Sequence, residues 1–171
     1  MLGLKRGTVK LTSAHNKWTE LFEKEKKLLF DTFGNQIIAI EHVGSTAIPG
    51  TPAKPLIDIN VAISPLNDSH VDEFIAPLEK LGYHYRHKFP GRHFFAKGPE
   101  SKRTHHLNLV EFNGDEWRNS ILFRDYLKNN KPAREEYAAL KEKLALQFPE
   151  DRASYTKAKE EFIQKIIMLA K

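Results

Sequence analysis

The stretch from Gln36 to Ile63, QIIAIEHVGSTAIPGTPAKPLIDINVAI, decides how the chain folds. Gln36 to Val43 is rich in β-branched residues and reads as a strand. GSTAIPGTP, from Gly44, is a turn segment punctuated by Gly, Ser and Pro. Leu56 to Ile63 is an apolar run broken only by Asp58 and Asn60, the pattern of a buried central strand. This order predicts two neighbouring strands of one sheet, with the Gly44 turn and Asp58 at the same edge.

Upstream, Trp18, Leu21, Phe22, Leu28, Leu29 and Phe33 recur at helical spacing, so a helix is expected from about Ser13 to Phe33. Thr12 or Ser13 would cap it and Gly34-Asn35 would end it. Downstream, Asn67-Asp68-Ser69 opens a helix that carries Val71, Phe74, Ile75 and Leu78 and closes at Gly82. YHYRHK, HFFAKG and THHLNLVEF read as short strands, the first two joined at Pro90-Gly91 as a hairpin. The last third is helical. One helix spans Asp115 to Asn129, a second has Pro132 in its first turn, and a third, capped by Ser154, carries Tyr155, Phe162 and Ile166. These elements predict an α/β (α+β) fold: a mixed sheet, helices on one face, and a helical C-terminal segment. With no repeat and no convincing linker, residues 1–171 read as a single domain.

Bulk composition narrows the function. The chain has 171 residues, 40% of them hydrophobic and 29% charged, which suits a folded domain rather than a disordered one. It contains no cysteine. That excludes a disulfide, a thiolate metal site and a cysteine nucleophile, and it points to a reducing cytoplasm. The N-terminus, MLGLKRGTVKLTSAHNKW, lacks the apolar core of a signal peptide, and no apolar stretch is long enough to span a membrane. A net charge of +5 favours anionic partners such as nucleotides or phosphorylated small molecules. No dense Lys/Arg run indicates nucleic acid. The oligomeric state is not fixed by sequence.

The turn and the second strand both break the rules of a plain core. A Gly-Ser-Thr turn after a strand presents backbone N–H groups and two hydroxyls. Gly44 would let a ligand approach without a Cβ in the way, so Gly44, Ser45 and Thr46 form a candidate phosphate cradle. The alternative is a Ser/Thr-rich turn that caps a short helix. Asp58 is costly inside an apolar strand unless it binds a metal or is paired, and an ion pair with Lys54 or an arginine is the competing reading. Strand parity puts Asp58 and Asn60 on one face, and likewise His106 and Asn108. If their strands are neighbours these four converge as a candidate site for Mg²⁺ or Mn²⁺, poor in carboxylates for such a metal. His42, His106 and Asp58 would be the zinc set, but no close histidine spacing supports zinc. Arg92, Lys97 and Arg103 are candidates for anion contact. His84, His87 and His93 read as exposed hairpin residues, and Glu111 falls on the opposite face from His106. No nucleophile elbow, Walker loop or His-Glu-x-x-His helix is present.

The Gly-Ser turn followed by Asp58-x-Asn60 on an apolar strand resembles the nucleotidyltransferase signature. The fuller string from His42 to Gly50, with Lys54 to Ile59 behind it, is similar to the GrpB family, also called uncharacterised protein family 0157. Arg103 to Leu107, Phe123 to Leu127 and Tyr137 to Lys141 continue the resemblance over nearly the whole chain. It implies a nucleotidyltransferase-like fold and metal-dependent transfer of a nucleotidyl group from an NTP to an acceptor. Asp58 would then be the catalytic metal ligand, Gly44, Ser45 and Thr46 would hold phosphate, and Lys54 or Arg103 would neutralise charge. Asn60 stands where that signature has a second carboxylate. The alternative implied is a non-catalytic module, derived from a transferase fold, that binds a nucleotide or another phosphoryl ligand.

Overall fold

The structure is a computed structural model that describes residues 1–171. In chain order its elements are α1 (His15–Phe33), β1 (Ala39–Val43), β2 (Ile57–Ile63), α2 (Asp68–Lys80), β3 (Tyr83–Phe89), β4 (Arg92–Lys97), β5 (His105–Glu111), α3 (Asp115–Asn129), α4 (Lys131–Gln147), α5 (Arg152–Ala158) and α6 (Glu160–Ala170). The strands form one mixed sheet in the order β1-β2-β5-β4-β3. β1 runs antiparallel to β2, the central pair β2–β5 is parallel, and β4 and β3 continue antiparallel. The expected α/β class, mixed sheet and flanking helices are all present.

The alternation along β2 builds two different faces. Ile57, Ile59, Val61 and Ile63 join α1 and α2 in the main core of 18 buried residues. On α1 the buried side chains are Trp18, Phe22, Glu25, Leu29 and Phe33, one stripe at helical spacing. The opposite face carries Asp58 and Asn60, and beyond them Ala62, which packs with Val110 and Trp117 of α3. There α3, α4 and α6 close around Phe123, Leu127, Tyr137 and Ile166, with Ile48 from the turn segment. Helices therefore cover both faces.

Two boundaries differ from the sequence reading in ways that shape the site. α1 starts at His15, with Ala14 in the cap position and no side-chain cap bond. More important, the expected last helix is two helices. Asp151, not Ser154, caps α5 by accepting the Ser154 N–H, and the chain breaks at Lys159 before α6 begins. No helix is long and apolar enough to cross a membrane.

Candidate functional site

A cleft of about 410 Å³ lies between the second face of the sheet and the C-terminal helices. Its floor is the central strand pair, whose parallel register sets Asp58 beside His106 and Asn60 beside Asn108. The expected convergence of these four side chains is therefore present, and all four line the cleft. Arg92 reaches the same face because β4 pairs it with Val110 of β5.

Asp58 is held from two sides. His106 Nδ1 lies 3.3 Å from its Oδ1. The carboxylate is still about a third exposed, at 35%. Burial pushes its pKa up, but the His106 hydrogen bond and the nearby charges, including Lys54, outweigh burial and hold it below the usual carboxylate value. Of the sequence alternatives for its partner, Lys54 acts only at a distance and the direct partner is His106. On the other side sits Gly44, at φ 71° and ψ −171°, a conformation open almost only to glycine. A Cβ there would lie 2.6 Å from Asp58 Oδ2. The glycine is thus required by the close approach of Asp58 itself, before any ligand is considered.

The two hydroxyls of the turn already have partners. Ser45 Oγ is 3.0 Å from Tyr137 Oη. Thr46 Oγ1 donates to the Leu56 carbonyl at 3.2 Å and accepts from His42 Nε2 at 2.9 Å. His42 does not line the cleft. Register pairs it with Ile59, a main-core position, and its ring stacks on Phe22 at 4.6 Å. Burial lowers its pKa to about 4, so it is neutral at pH 7. Its role is to position the turn. Arg124 does the same from α3, donating to Glu41 and to the His42 carbonyl.

At the basic end of the cleft the expected Lys54 is joined by Lys159 and Arg152, which the sequence did not disclose. Lys159 and Lys54 both line it, and their ammonium groups sit 4.4 Å and 5.3 Å from the centroid of the Tyr155 ring. Neither makes an ion pair or a hydrogen bond. Lys159 is only 9% exposed. Burial, then the neighbouring Lys159 and Arg152, lowers the pKa of Lys54 to about 7. Burial, opposed in part by Asp58, lowers that of Lys159 to about 8. Behind them Arg152 keeps Nε and Nη2 buried with no hydrogen-bond partner. Lys141, fully buried, donates to the Pro52 carbonyl.

Several other expectations are corrected. Arg103 is buried, but outside the cleft. Its guanidinium donates to the Gly98 carbonyl and lies near Glu100, so it cannot neutralise charge at Asp58. Lys97 pairs with Glu25 at 2.7 Å on the main-core face. His93 is not an exposed residue: it is 5% exposed, with Nδ1 3.1 Å from Tyr85 Oη. Glu111, by contrast, lies away from the cleft as its parity predicts, and accepts the Leu66 N–H.

The donor set does not fit a resident divalent cation. No group of three or more His, Asp or Glu side chains could hold a metal. The Asn60 Oδ1 atom accepts from Asn108 at 3.3 Å, and Asn108 Oδ1 accepts from Arg92 at 2.8 Å. That leaves Asp58 as the one carboxylate of the set; Glu116, the other carboxylate of the cleft, lies against Arg92, and the guanidinium and two lysine side chains lining the same cleft oppose Mg²⁺ or Mn²⁺. The zinc set fails as well, because His42 lies on the other face of the sheet.

A mixed sheet with an Asp–His pair and a basic cleft defines the class of domain, and comparison with known proteins gives its kinship. The family model described as "GrpB protein" matches residues 8–168. The "Glutamate-rich protein GrpB" of Alkalihalophilus pseudofirmus is 41% identical over 173 residues, covering 98% of each chain. The "UPF0157 protein YqkA" of Bacillus subtilis is 37% identical over 91% of this chain and 45% of its own length. The crystal structure of GrpB from Enterococcus faecalis superposes with a TM-score of 0.85 at 34% identity, covering 94% of this chain and 96% of that one. The chain belongs to the GrpB family.

Proposed function

We propose that the chain is a binding module for a phosphorylated small molecule whose anionic group sits against Lys54 and Lys159. One observation carries the reading: two cleft ammonium groups without counter-ions, backed by an arginine with unpaired buried N–H groups. Buried cations without partners destabilise a fold, and an anion relieves that strain. The strand–turn–strand arrangement beside Asp58 supports descent from a nucleotidyltransferase fold. Asn60 and the cationic surroundings of Asp58 favour binding over metal-dependent transfer. The lack of cysteine supports a cytoplasmic location.

Calorimetric titration with inorganic phosphate and pyrophosphate, with and without Mg²⁺, tests this. Binding is expected without the metal. Lys159→Met should weaken it at least about tenfold while leaving the free protein as stable as before or more stable. Failure of both anions to bind at millimolar concentration, or unchanged affinity in Lys159→Met, overturns the reading.

A further inference from the structure

The rest of the cleft lining limits what the rest of the ligand can be. Nucleotide binding commonly uses a free aromatic face on which the base can stack. Here every aromatic ring lining the cleft is engaged. The Tyr155 ring carries Lys54 and Lys159. Tyr137 stacks on Phe162 at 5.3 Å with the rings 10° apart, and Lys141 lies 4.4 Å from its centroid. Phe123 is buried edge-on against Tyr137.

What the cleft offers instead is amide and carboxylate chemistry. Asn119 and Gln164 line it with no hydrogen-bond partner of their own, and Asn60 uses only its oxygen, toward Asn108. An amide both donates and accepts, and so does an alcohol. Glu116, 46% exposed, lies 3.8 Å from Arg92. Together with Asp58 it accepts hydrogen bonds from hydroxyls and repels a second phosphate group. Of the three lysine and arginine side chains that line the cleft, Arg92 has a carboxylate beside it and only Lys54 and Lys159 have none.

Building on the anion reading above, we infer that the ligand is a phosphomonoester of a polyhydroxylated compound, such as a sugar phosphate, rather than a nucleotide. The phosphate lies at Lys54 and Lys159. The hydroxyls lie at Asn60, Asn119, Gln164 and Glu116. Arg92, oriented by Asn108 and lying 4.2 Å from the centroid of the Phe89 ring, lines the cleft beside Glu116.

Titrating the intact chain with inorganic phosphate, ribose 5-phosphate, AMP and ATP reads each increment separately. Ribose 5-phosphate should bind at least about tenfold tighter than phosphate, AMP no tighter than ribose 5-phosphate, and ATP more weakly than AMP. Asn119→Ala and, separately, Gln164→Ala should each shrink the gap between ribose 5-phosphate and phosphate while leaving phosphate affinity unchanged; neither position lies in the apolar core. Equal affinity for phosphate and ribose 5-phosphate overturns the polyol inference and leaves the anion reading standing. So does tighter binding of AMP or ATP, which would mean that a base or a polyphosphate is recognised. Absence of binding by all four compounds overturns the anion reading itself.

Discussion

The two faces of β2 show how one strand builds two different materials. On one side Ile57, Ile59, Val61 and Ile63 are each at most 1% exposed among α1 and α2. On the other, Asp58 and Asn60 open onto a cleft whose two lysines, Lys54 and Lys159, make no ion pair. The first face is dense and apolar and holds the fold. The second keeps charge in a poorly solvated place, an arrangement that opposes folding and that the proposed anion would relieve. Stability and the proposed binding are thus divided by the parity of one strand.

Substitutions can break that division or sharpen it. The largest stability effect is expected for Ile59→Ala, which removes a fully buried side chain and should cost about 2–5 kcal/mol. Urea unfolding measures this, and phosphate affinity in the folded fraction should not change. If affinity fell in parallel, the two faces would be coupled rather than separate. Gly44→Ala comes next. It forces a Cβ against Asp58 in a glycine-only conformation, so the free energy of unfolding should drop by about 1–3 kcal/mol. A variant as stable as the parent would show that the turn can reorient, and that Asp58 does not need it where it is.

The pH dependence separates the faces without mutation. In the unfolded chain lysines keep their protons to about pH 10.4, whereas folded Lys54 and Lys159 release theirs near 7 and 8. Through that window the unfolded state binds more protons, so stability should rise with pH. Above about pH 10 the trend should reverse, because burial raises Tyr137 to about 12 and the unfolded tyrosine loses its proton first. On the acid side His42 and His105, each lowered by burial to about 4, remain neutral in the fold while their unfolded forms charge below about pH 6.5. Stability should therefore also fall from pH 6.5 toward 4. Thermal melts across this range should show both slopes, and Lys159→Met should flatten the alkaline rise alone. The smallest effect is expected for Arg103→Gln, which should change phosphate affinity less than about twofold because its guanidinium is outside the cleft. A larger loss would return Arg103 to the site.

The sequence disclosed most of the fold and half of the site. Strand parity is a local property, so Asp58, Asn60, His106 and Asn108 could be grouped from their own segments, needing only the β2–β5 pairing to meet. The side of His42 is not legible in its own segment: only its pairing with Ile59 reveals that it points to the main core. Lys159 was invisible because a lysine within a helical pattern reads as a solvated face, and the break between α5 and α6 that turns it inward carries no Gly or Pro. Lys141 did leave a signal, since it falls four residues after Tyr137 on the buried stripe of α4. Arg103 misled through its place beside the His105-His106 strand, where nothing local shows that the chain bridges Leu4 there.

The parallel pairing at the centre of the sheet also dictates when the site comes into being. β1 and β2 are close in sequence and can pair early, but β5 reaches β2 only after α2 and the β3–β4 hairpin have intervened, and closing so long a loop is slow. Asp58 meets His106 at that step, and Lys159 joins Lys54 later still, because it lies between the last two helices. A nascent or partly folded chain therefore exposes Asp58 without its partner and has no cleft, so a ligand that needs both ends of it binds only the finished molecule and draws the folding equilibrium toward completion.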